Sequence, residues 1–503
     1  MLMMEDKLDA PKRLVGFDSG GEVFLSQGRV LRGIYQGNGT LYRQVLHTCE
    51  AHDLFRFGIV ATRETHVNPH PDLPYDLVLE HERIPFISYP HEWSASMLKA
   101  AALFHIDLYT ELGAHGLTIK DWHPYNILFR NTEPVFVDFA SIIPIVNLQD
   151  EEYLNPPQFP FLFRYIWDTT SAYFYEMYRR MCVPYFLLPL YLMHGGDQTM
   201  AQIRLFETTL NAAGSVISEW ELFSPSPLNW MYYKIMSSLK KGALVQRGSL
   251  KTLFLRVLGK EIKRLCASPK SSAYSGYYSA KGEELSFEPS YDWTLKQEII
   301  YETIRRVQPE TLLDVACNTG WFSILAAKLG CKVVAIDIDE TCIDILYKRA
   351  KKDALSILPL VMDLTRPKPD VLPLEFENEP QLSMIGSDSH LPLLLSADKR
   401  LHCDMVIALG IVHHLALGKG LGFADVIEII KKYTNKYLLI EFVAKEDELI
   451  TNEPSFFPEF NSNPHIFDWY TLDNFIMELK RNFSHVDIQK SYPDSRSIVI
   501  CEK

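Results

Sequence analysis

Twelve residues in the C-terminal half, LLDVACNTGWFS (Leu312–Ser323), combine a strand end at Asp314–Val315, a turn from Ala316 to Gly320 and a helix start at Trp321. Such a turn must bring backbone close to a ligand. Gly320 can take an unusual φ without steric penalty, and Asn318 tolerates the left-handed region better than most residues. Three more strand ends follow with suitable chemistry. KVVAIDID closes near Asp337, where a carboxylate can accept from both hydroxyls of a ribose. LPLVMDL closes near Asp363, placed to accept from an adenine amino group. CDMVIALGIVHHL closes at Leu409–Gly410, with His413 and His414 just beyond, and Glu441 ends the next strand. Histidine is the commonest positioned base near neutral pH. A carboxylate beside it can hold an acceptor or orient the imidazole.

Any one of these acids reads equally well as a helix cap or a surface charge. Four suitable strand ends in register along one sheet make chance a poor explanation. A dinucleotide would need three glycines as G-x-G-x-x-G to approach its pyrophosphate, and this turn has only Gly320. S-adenosylmethionine (SAM) has no pyrophosphate and is the expected cofactor. Its expected contacts are Asp314, Ala316, Asn318, Gly320, Asp337, Asp363 and Leu409. Methyl transfer from a sulfonium is an in-line displacement that relies on positioning and exclusion of water. An oxygen nucleophile also needs a base, so the catalytic candidates are His413, His414 and Glu441, with His414 preferred.

These segments resemble the class I SAM-dependent methyltransferases. CNTGWFS, ALGIVHHL (Ala408–Leu415), LIEFVAKED (Leu439–Asp447) and the final SRSIVICEK are similar to one bacterial subgroup, related to a rhizobial nodulation protein. YPHEWSASMLKAAAL and LTIKDWHPYNILF match the same subgroup upstream, so the resemblance covers most of residues 80–503. Ala316 departs from the glycine usual in class I enzymes, which implies weaker SAM binding.

The elements around these residues fit the resemblance. From about Gln297 helix and strand alternate, and the apolar β-branched runs indicate a parallel sheet covered by helices. The fold class is therefore α/β: a Rossmann-like, doubly wound, mostly parallel sheet, closed by HVDIQKSY and RSIVICE as an antiparallel pair. A kinase-like α+β region and a helical segment precede it. The expected divisions are 1–148, 149–270 (helical extension and linker) and 271–503.

Residues 1–148 begin with the strand-like runs LVGF, EVFLS, RVLRGIY and TLYRQVL, separated by glycine turns, followed by DLVLEH and a helix from about Ser94 to Gly113. Asp121 and Asn126 then stand five apart with His123 between them, and Asp138 follows twelve residues after Asn126 at a strand end. Kinases place a catalytic Asp, an Asn and a later magnesium-binding Asp-Phe in this order. The Asp-x-His-x-x-Asn form resembles the aminoglycoside-phosphotransferase and choline-kinase branch, which implies a degenerate nucleotide site at Asp121, Asn126 and Asp138. Ile119 stands where that branch has histidine, and Ala140 where the magnesium motif has glycine. No Val-Ala-Ile-Lys strand is present; Arg32 is nearest that role. A scaffold without nucleotide is the favoured expectation, with Mg-ATP in this region as the minority one.

The 503 residues carry 50 basic and 63 acidic side chains, a net charge of -13. That field repels nucleic acid, so a small-molecule or glycan acceptor is expected and nucleic acid is not. The basic stretch from Lys240 to Arg264 reads as a solvated helix face, with docking of an anion as its alternative. None of the eight cysteines forms a Cys-x-x-Cys pair, so no metal site is expected, and they read as reduced thiols. CVPYFLLPLYLM (Cys182–Met193) is too short and too proline-rich to span a membrane and reads as a buried segment. The N-terminus lacks the bases and apolar run of a signal peptide, so a cytoplasmic location is expected.

The functional expectation is O-methylation of a glycan, lipid-linked sugar or other metabolite hydroxyl. Three alternatives stay open: a bifunctional kinase–methyltransferase acting on a glycan, a protein methyltransferase that docks its target through the N-terminal half, and a SAM-binding module without transfer. The loop from Pro367 to Arg400 is expected at the acceptor side.

Overall fold

The computed structural model describes residues 11–18, 20–70, 73–146, 178–210, 247–265, 272, 274–276, 287–366, 394–452 and 454–503. The aromatic window 161–181, the linker and the loop from Pro367 lie largely outside the described residues.

The N-terminal half opens with a five-stranded antiparallel sheet. Its strands are β1 (Lys12–Asp18), β2 (Gly21–Ser26), β3 (Arg29–Tyr35), β4 (Thr62–Glu64) and β5 (Tyr75–His81), in the order β1-β2-β3-β5-β4. The β2–β3 hairpin turns on Gln27 and Gly28, both at positive φ, as a two-residue turn matched to strand twist requires. TLYRQVL is not the expected strand. It lies in helix α1 (Gly39–Ala51), where Tyr42, Val45, Leu46 and Cys49 are buried at helical spacing. Two β-branched residues and an aromatic look strand-like over seven positions, but the apolar stripe continues to Cys49 with a period of 3.6.

Helix α2 (Ala95–Ala114) starts on Ser94, whose Oγ accepts from Met97 N. The short strands β6 (Leu117–Ile119), β7 (Ile127–Arg130), β8 (Glu133–Phe136) and β9 (Ile142–Pro144) follow, paired β6 with β9 and β7 with β8. Helices α3 (Leu188–Gly195), α4 (Gln198–Leu210) and α5 (Arg247–Arg264) complete the described part of this half. The chain from Cys182 to Leu190 is buried. No helix among the described residues is long and apolar enough to cross a membrane.

The C-terminal sheet has seven strands: β10 (Thr311–Val315), β11 (Lys332–Asp337), β12 (Ile357–Val361), β13 (Cys403–Ala408), β14 (Thr434–Val443), β15 (His485–Lys490) and β16 (Arg496–Glu502). Their order is β12-β11-β10-β13-β14-β16-β15. The five strands from β10 to β14 pair in parallel, and β16 inserts antiparallel between β14 and β15. Order reverses at β10, whose neighbours are β11 and β13, so the turns after these three strands share one crevice. Around the sheet run α6 (Leu295–Val307), α7 (Trp321–Lys328), α8 (Glu340–Lys352), α9 (Ala397–Arg400), α10 (Phe423–Lys431), α11 (Glu448–Asn452), α12 (Pro458–Ser462) and α13 (Leu472–Asn482).

The two halves share a core. The sheet face carrying Leu313, Val334, Leu358, Val406 and Leu438 belongs to one apolar cluster with Trp93, Leu98 and Trp122 of the N-terminal half. Polar contacts tie the halves as well. Asp344 on α8 accepts from Ser94 Oγ at 2.8 Å, Ser96 N at 3.0 Å and Ser96 Oγ at 3.0 Å. Glu340 accepts from Ala95 N at 2.9 Å. Two carboxylates of α8 therefore sit at the positive N-terminus of α2. Arg400 on α9 forms a buried ion pair with Glu92 and lies 4.4 Å from the Tyr89 ring centroid.

Candidate functional site

The strand–turn–helix unit forms as its residues require. Ala316, Asn318 and Gly320 all have positive φ, at 56°, 54° and 81°. A Cβ on Gly320 would meet Leu346 Cδ1 at 2.4 Å, so conformation and space both demand glycine there. At Ala316 the same left-handed geometry is taken by a residue that pays steric strain for it. Asn318 steadies the turn, donating its side-chain N–H to Tyr274 O at 3.0 Å and accepting from Thr319 N at 2.6 Å.

Asp314 is buried at the end of β10 and accepts from Ser323 Oγ at 2.5 Å. Burial pushes its pKa up to about 7, against the pull of the Ser323 bond. With its bond to Ser323, it acts as the internal brace between β10 and α7. Asp337 stands at the end of β11. Its Oδ2 accepts from Asn318 N at 2.8 Å and its Oδ1 from Asp339 N at 2.9 Å. Backbone N–H groups of Asn318, Ile338 and Asp339 thus orient the carboxylate. Burial raises its pKa as well. Asp363 lies two residues beyond β12 and is held by Thr365 and by Lys419 Nζ at 3.0 Å. Burial works against its charged form, but the Thr365 and Lys419 bonds outweigh it and hold the pKa below the ordinary value. Leu409 and Gly410 follow β13 as expected.

The residues after β13 and β14 form two groups. The His413 and His414 rings lie 4.2 Å apart between centroids, tilted at 38°. His414 lies 5.4 Å from the Phe457 ring, 6.0 Å from Phe456 and 6.4 Å from Tyr274, and Tyr274 stacks on Phe456 at 5.7 Å. Burial lowers His414 to about 4 and His413 well below its ordinary value. His413 is 2% exposed, and its Nδ1 has no hydrogen-bond partner among the described residues. Glu441 bonds neither histidine. Its Oε2 accepts from Lys296 Nζ and from Gly410 N, both at 2.8 Å, and its Oε1 has no partner among the described residues. Arg496, 4.0 Å from Glu441 Oε2, grips Asp447 through two bonds of 2.8 and 3.0 Å.

Lys296, Asp447, Arg496, Tyr274, Phe456 and Phe457 were not legible as site residues. Lys296 opens α6 behind a Thr294–Gln297 capping box, and no local pattern separates it from a solvated lysine. The paired phenylalanines beside Pro458 were the one usable signal.

In the N-terminal half, Asp121 and Asn126 meet, with Asn126 Nδ2 donating to Asp121 Oδ2 at 3.1 Å. Ser141 links this loop to the Asp138 segment, its Oγ accepting from Asp121 N at 3.0 Å. Asp138 accepts from Arg32 of β3 at 2.8 Å. The fold thus brings all three expected residues into one region and adds a cation to it.

The residues of the crevice suit SAM. Asp337 is a carboxylate at the end of β11, where a ribose contact is expected, and the turn from Ala316 to Gly320 carries a single glycine. Comparison with known proteins agrees. The family described as "Tellurite resistance protein TehB" matches residues 279–370. Nodulation protein NoeA of Rhizobium meliloti (strain 1021) is 28% identical over 380 residues, covering 74% of this chain and 72% of that protein. Ribosomal protein L11 methyltransferase of Thermotoga maritima is 34% identical over 104 residues, 20% of this chain and 37% of that one. Among solved structures, the bifunctional kinase-methyltransferase WbdD aligns at 15% identity with a TM-score of 0.29, over 46% of this chain and 42% of that one. The sheet, its ligand-facing strand ends and the sequence matches together make the C-terminal half a class I SAM-dependent methyltransferase domain, in a chain similar to NoeA over most of its length.

Proposed function

We propose that the chain methylates an oxygen of a glycan, a lipid-linked sugar or another metabolite hydroxyl. The supporting observation is the half-buried His414 within a wall of Tyr274, Phe456 and Phe457, just past the fourth parallel strand. Bound SAM supplies an electrophilic methyl group. Asp337 would hold the ribose and Asp363, paired with Lys419, would take the adenine, while the aromatic wall would pack the apolar face of a sugar ring and exclude water. His414 takes the hydroxyl proton. With a pKa of about 4 its imidazole is neutral at pH 7, the form that accepts a proton. His413, more deeply buried, packs against it with its ring tilted at 38°. The acceptor is a small molecule or glycan, not a nucleic acid.

The test is transfer of labelled methyl from SAM to a panel of glycans, lipid-linked sugars and peptides. Label on a sugar hydroxyl, lost in His414→Asn, supports the reading; label on peptide alone moves it to a protein methyltransferase. If His414 is the base, the wild-type rate stays flat from pH 8 to about 5 and falls below. Undiminished turnover by His414→Asn over that range removes it from this role.

The N-terminal half acts in this reading as a cytoplasmic scaffold that docks the acceptor or a protein partner and does not turn over ATP. The Arg32–Asp138 pair supports this, because the carboxylate that would hold magnesium is neutralised from within. The assembled Asp121–Asn126 loop favours the second reading, a bifunctional kinase–methyltransferase. MgATP titration of the wild type and Asp138→Ala separates the two.

A further inference from the structure

Helix α8 starts at Glu340, three positions after Asp337 ends β11, and it lies against the N-terminal half. Near its start Glu340 and Asp344 are 9% and 1% exposed. Glu340 Oε1 accepts from Ala95 N, and Asp344 takes three bonds from Ser94 and Ser96, all at the first turn of α2. Further along, Tyr347 Oη donates to Thr132 O at 3.2 Å, and Lys351 Nζ lies 3.0 Å from Glu133. The same helix steadies the cofactor side of the sheet. Asp339 caps it, accepting from Thr341 N at 2.9 Å and Cys342 N at 3.3 Å, while its own N–H donates to Asp337 Oδ1 at 2.9 Å. Leu346 packs against Gly320 of the turn after β10. One helix therefore joins the first turn of α2 to both the turn and the acid expected to hold the nucleoside.

Two carboxylates buried this deeply need donors. Ala95 N, Ser94, Ser96 and the positive end of α2 supply them, and the half-exposed Lys348 adds its ammonium 2.8 Å from Asp344. Without the donors of α2 the two acids would turn toward water and draw α8 with them. Asp339 N would then leave Asp337, and Leu346 would leave Gly320. We propose that the first turn of α2 is a positioning element for the cofactor site of the other half. It acts through Glu340, Asp344 and helix α8, so the two halves take up cofactor as one cooperative unit. The N-terminal half is in this assignment part of the methyltransferase's own working structure, beyond any docking of an acceptor. The proposal rests on SAM binding at Asp337, and the experiment tests the two separately.

The test uses the full chain and S-adenosylhomocysteine, with hydrogen exchange read by mass spectrometry and affinity read by calorimetry. In wild type the ligand should slow exchange at the turn after β10 and also at Ala95 and Ser96, whose N–H groups donate to α8. This measurement needs no substitution, so it stands even where a variant fails to fold. Ser94→Ala/Ser96→Ala removes both hydroxyl donors and should weaken the ligand by about 10-fold. Glu340→Ala should weaken it by a similar factor, whereas Glu340→Gln, which still accepts from Ala95 N, should stay within about threefold of wild type. A contact that only braces the fold would lower the urea midpoints of these variants and leave the affinity of the folded protein unchanged. That result, or ligand protection confined to the C-terminal half of the wild type, would overturn the proposal. Wild type that binds no S-adenosylhomocysteine would remove the cofactor reading and the proposal with it. Binding that is lost in Asp337→Ala but unchanged in every α2 and Glu340 variant would keep the cofactor and overturn the proposal alone.

Discussion

Replacing Gly320 with alanine would place a methyl group 2.4 Å from Leu346 Cδ1, 2.6 Å from Cδ2 and 3.0 Å from Cγ. Leu346 is fully buried on α8, so moving it aside disturbs the core around it. Two costs add. Holding an L-residue at a φ of 81° costs about 1–2 kcal/mol, and overpacking a tight core contact costs about 1–3 kcal/mol. Gly320→Ala should therefore destabilise the C-terminal domain by roughly 2–5 kcal/mol. The opposite substitution sits four residues away. Ala316→Gly releases about 1–2 kcal/mol of left-handed strain and gives back about 0.4–1 kcal/mol through the freer unfolded chain. It should be neutral or stabilising by up to about 1.5 kcal/mol. Urea unfolding followed by tryptophan emission suits both, because Trp321 is buried beside the turn. The midpoints should move in opposite directions at unchanged slope. If both variants lost similar stability, or Gly320→Ala lost less than about 1 kcal/mol, the left-handed turn packed on Leu346 would be the wrong account of this motif.

Three other outcomes are expected. Asp337→Ala removes the ribose acceptors and should weaken SAM by roughly 100-fold in calorimetry; an unchanged affinity would mean that the ribose is held elsewhere. Arg400→Met leaves Glu92 as an unpaired buried charge and should cost about 3–5 kcal/mol in urea unfolding, much of it recovered in Arg400→Met/Glu92→Leu. No recovery would mean that the arginine acts through Tyr89 and its bonds to Ile87 O and Leu395 O instead. Asp314 titrates near 7 when folded, above the ordinary aspartate value, so the folded state binds its proton more tightly. Its contribution is fully present below about pH 4 and is lost as pH rises toward 7. Asp314→Asn should therefore gain on the wild type across that range, and parallel stability curves would contradict the raised pKa.

The strands of the C-terminal sheet, the turn after β10 and the acid at the end of β11 were legible because each is a local matter. A parallel strand covered on both faces must be a continuous apolar run, and a strand-to-helix turn needs residues that tolerate positive φ within five positions. The kinase-like loop was legible for the same reason, since Asp121 and Asn126 are close in the chain. TLYRQVL shows the limit of this: over seven residues β-branched propensity outweighed a helical period that only Cys49 completes. What the chain brings together from afar was decided by tertiary structure alone. Lys296 meets Glu441 across 145 positions, Arg32 meets Asp138 across 106 and Ser94 meets Asp344 across 250. Each lysine, arginine or serine is, in its own segment, a solvated surface residue. Only packing removes the water, and it is the removal of water that makes a distant charge necessary as a partner.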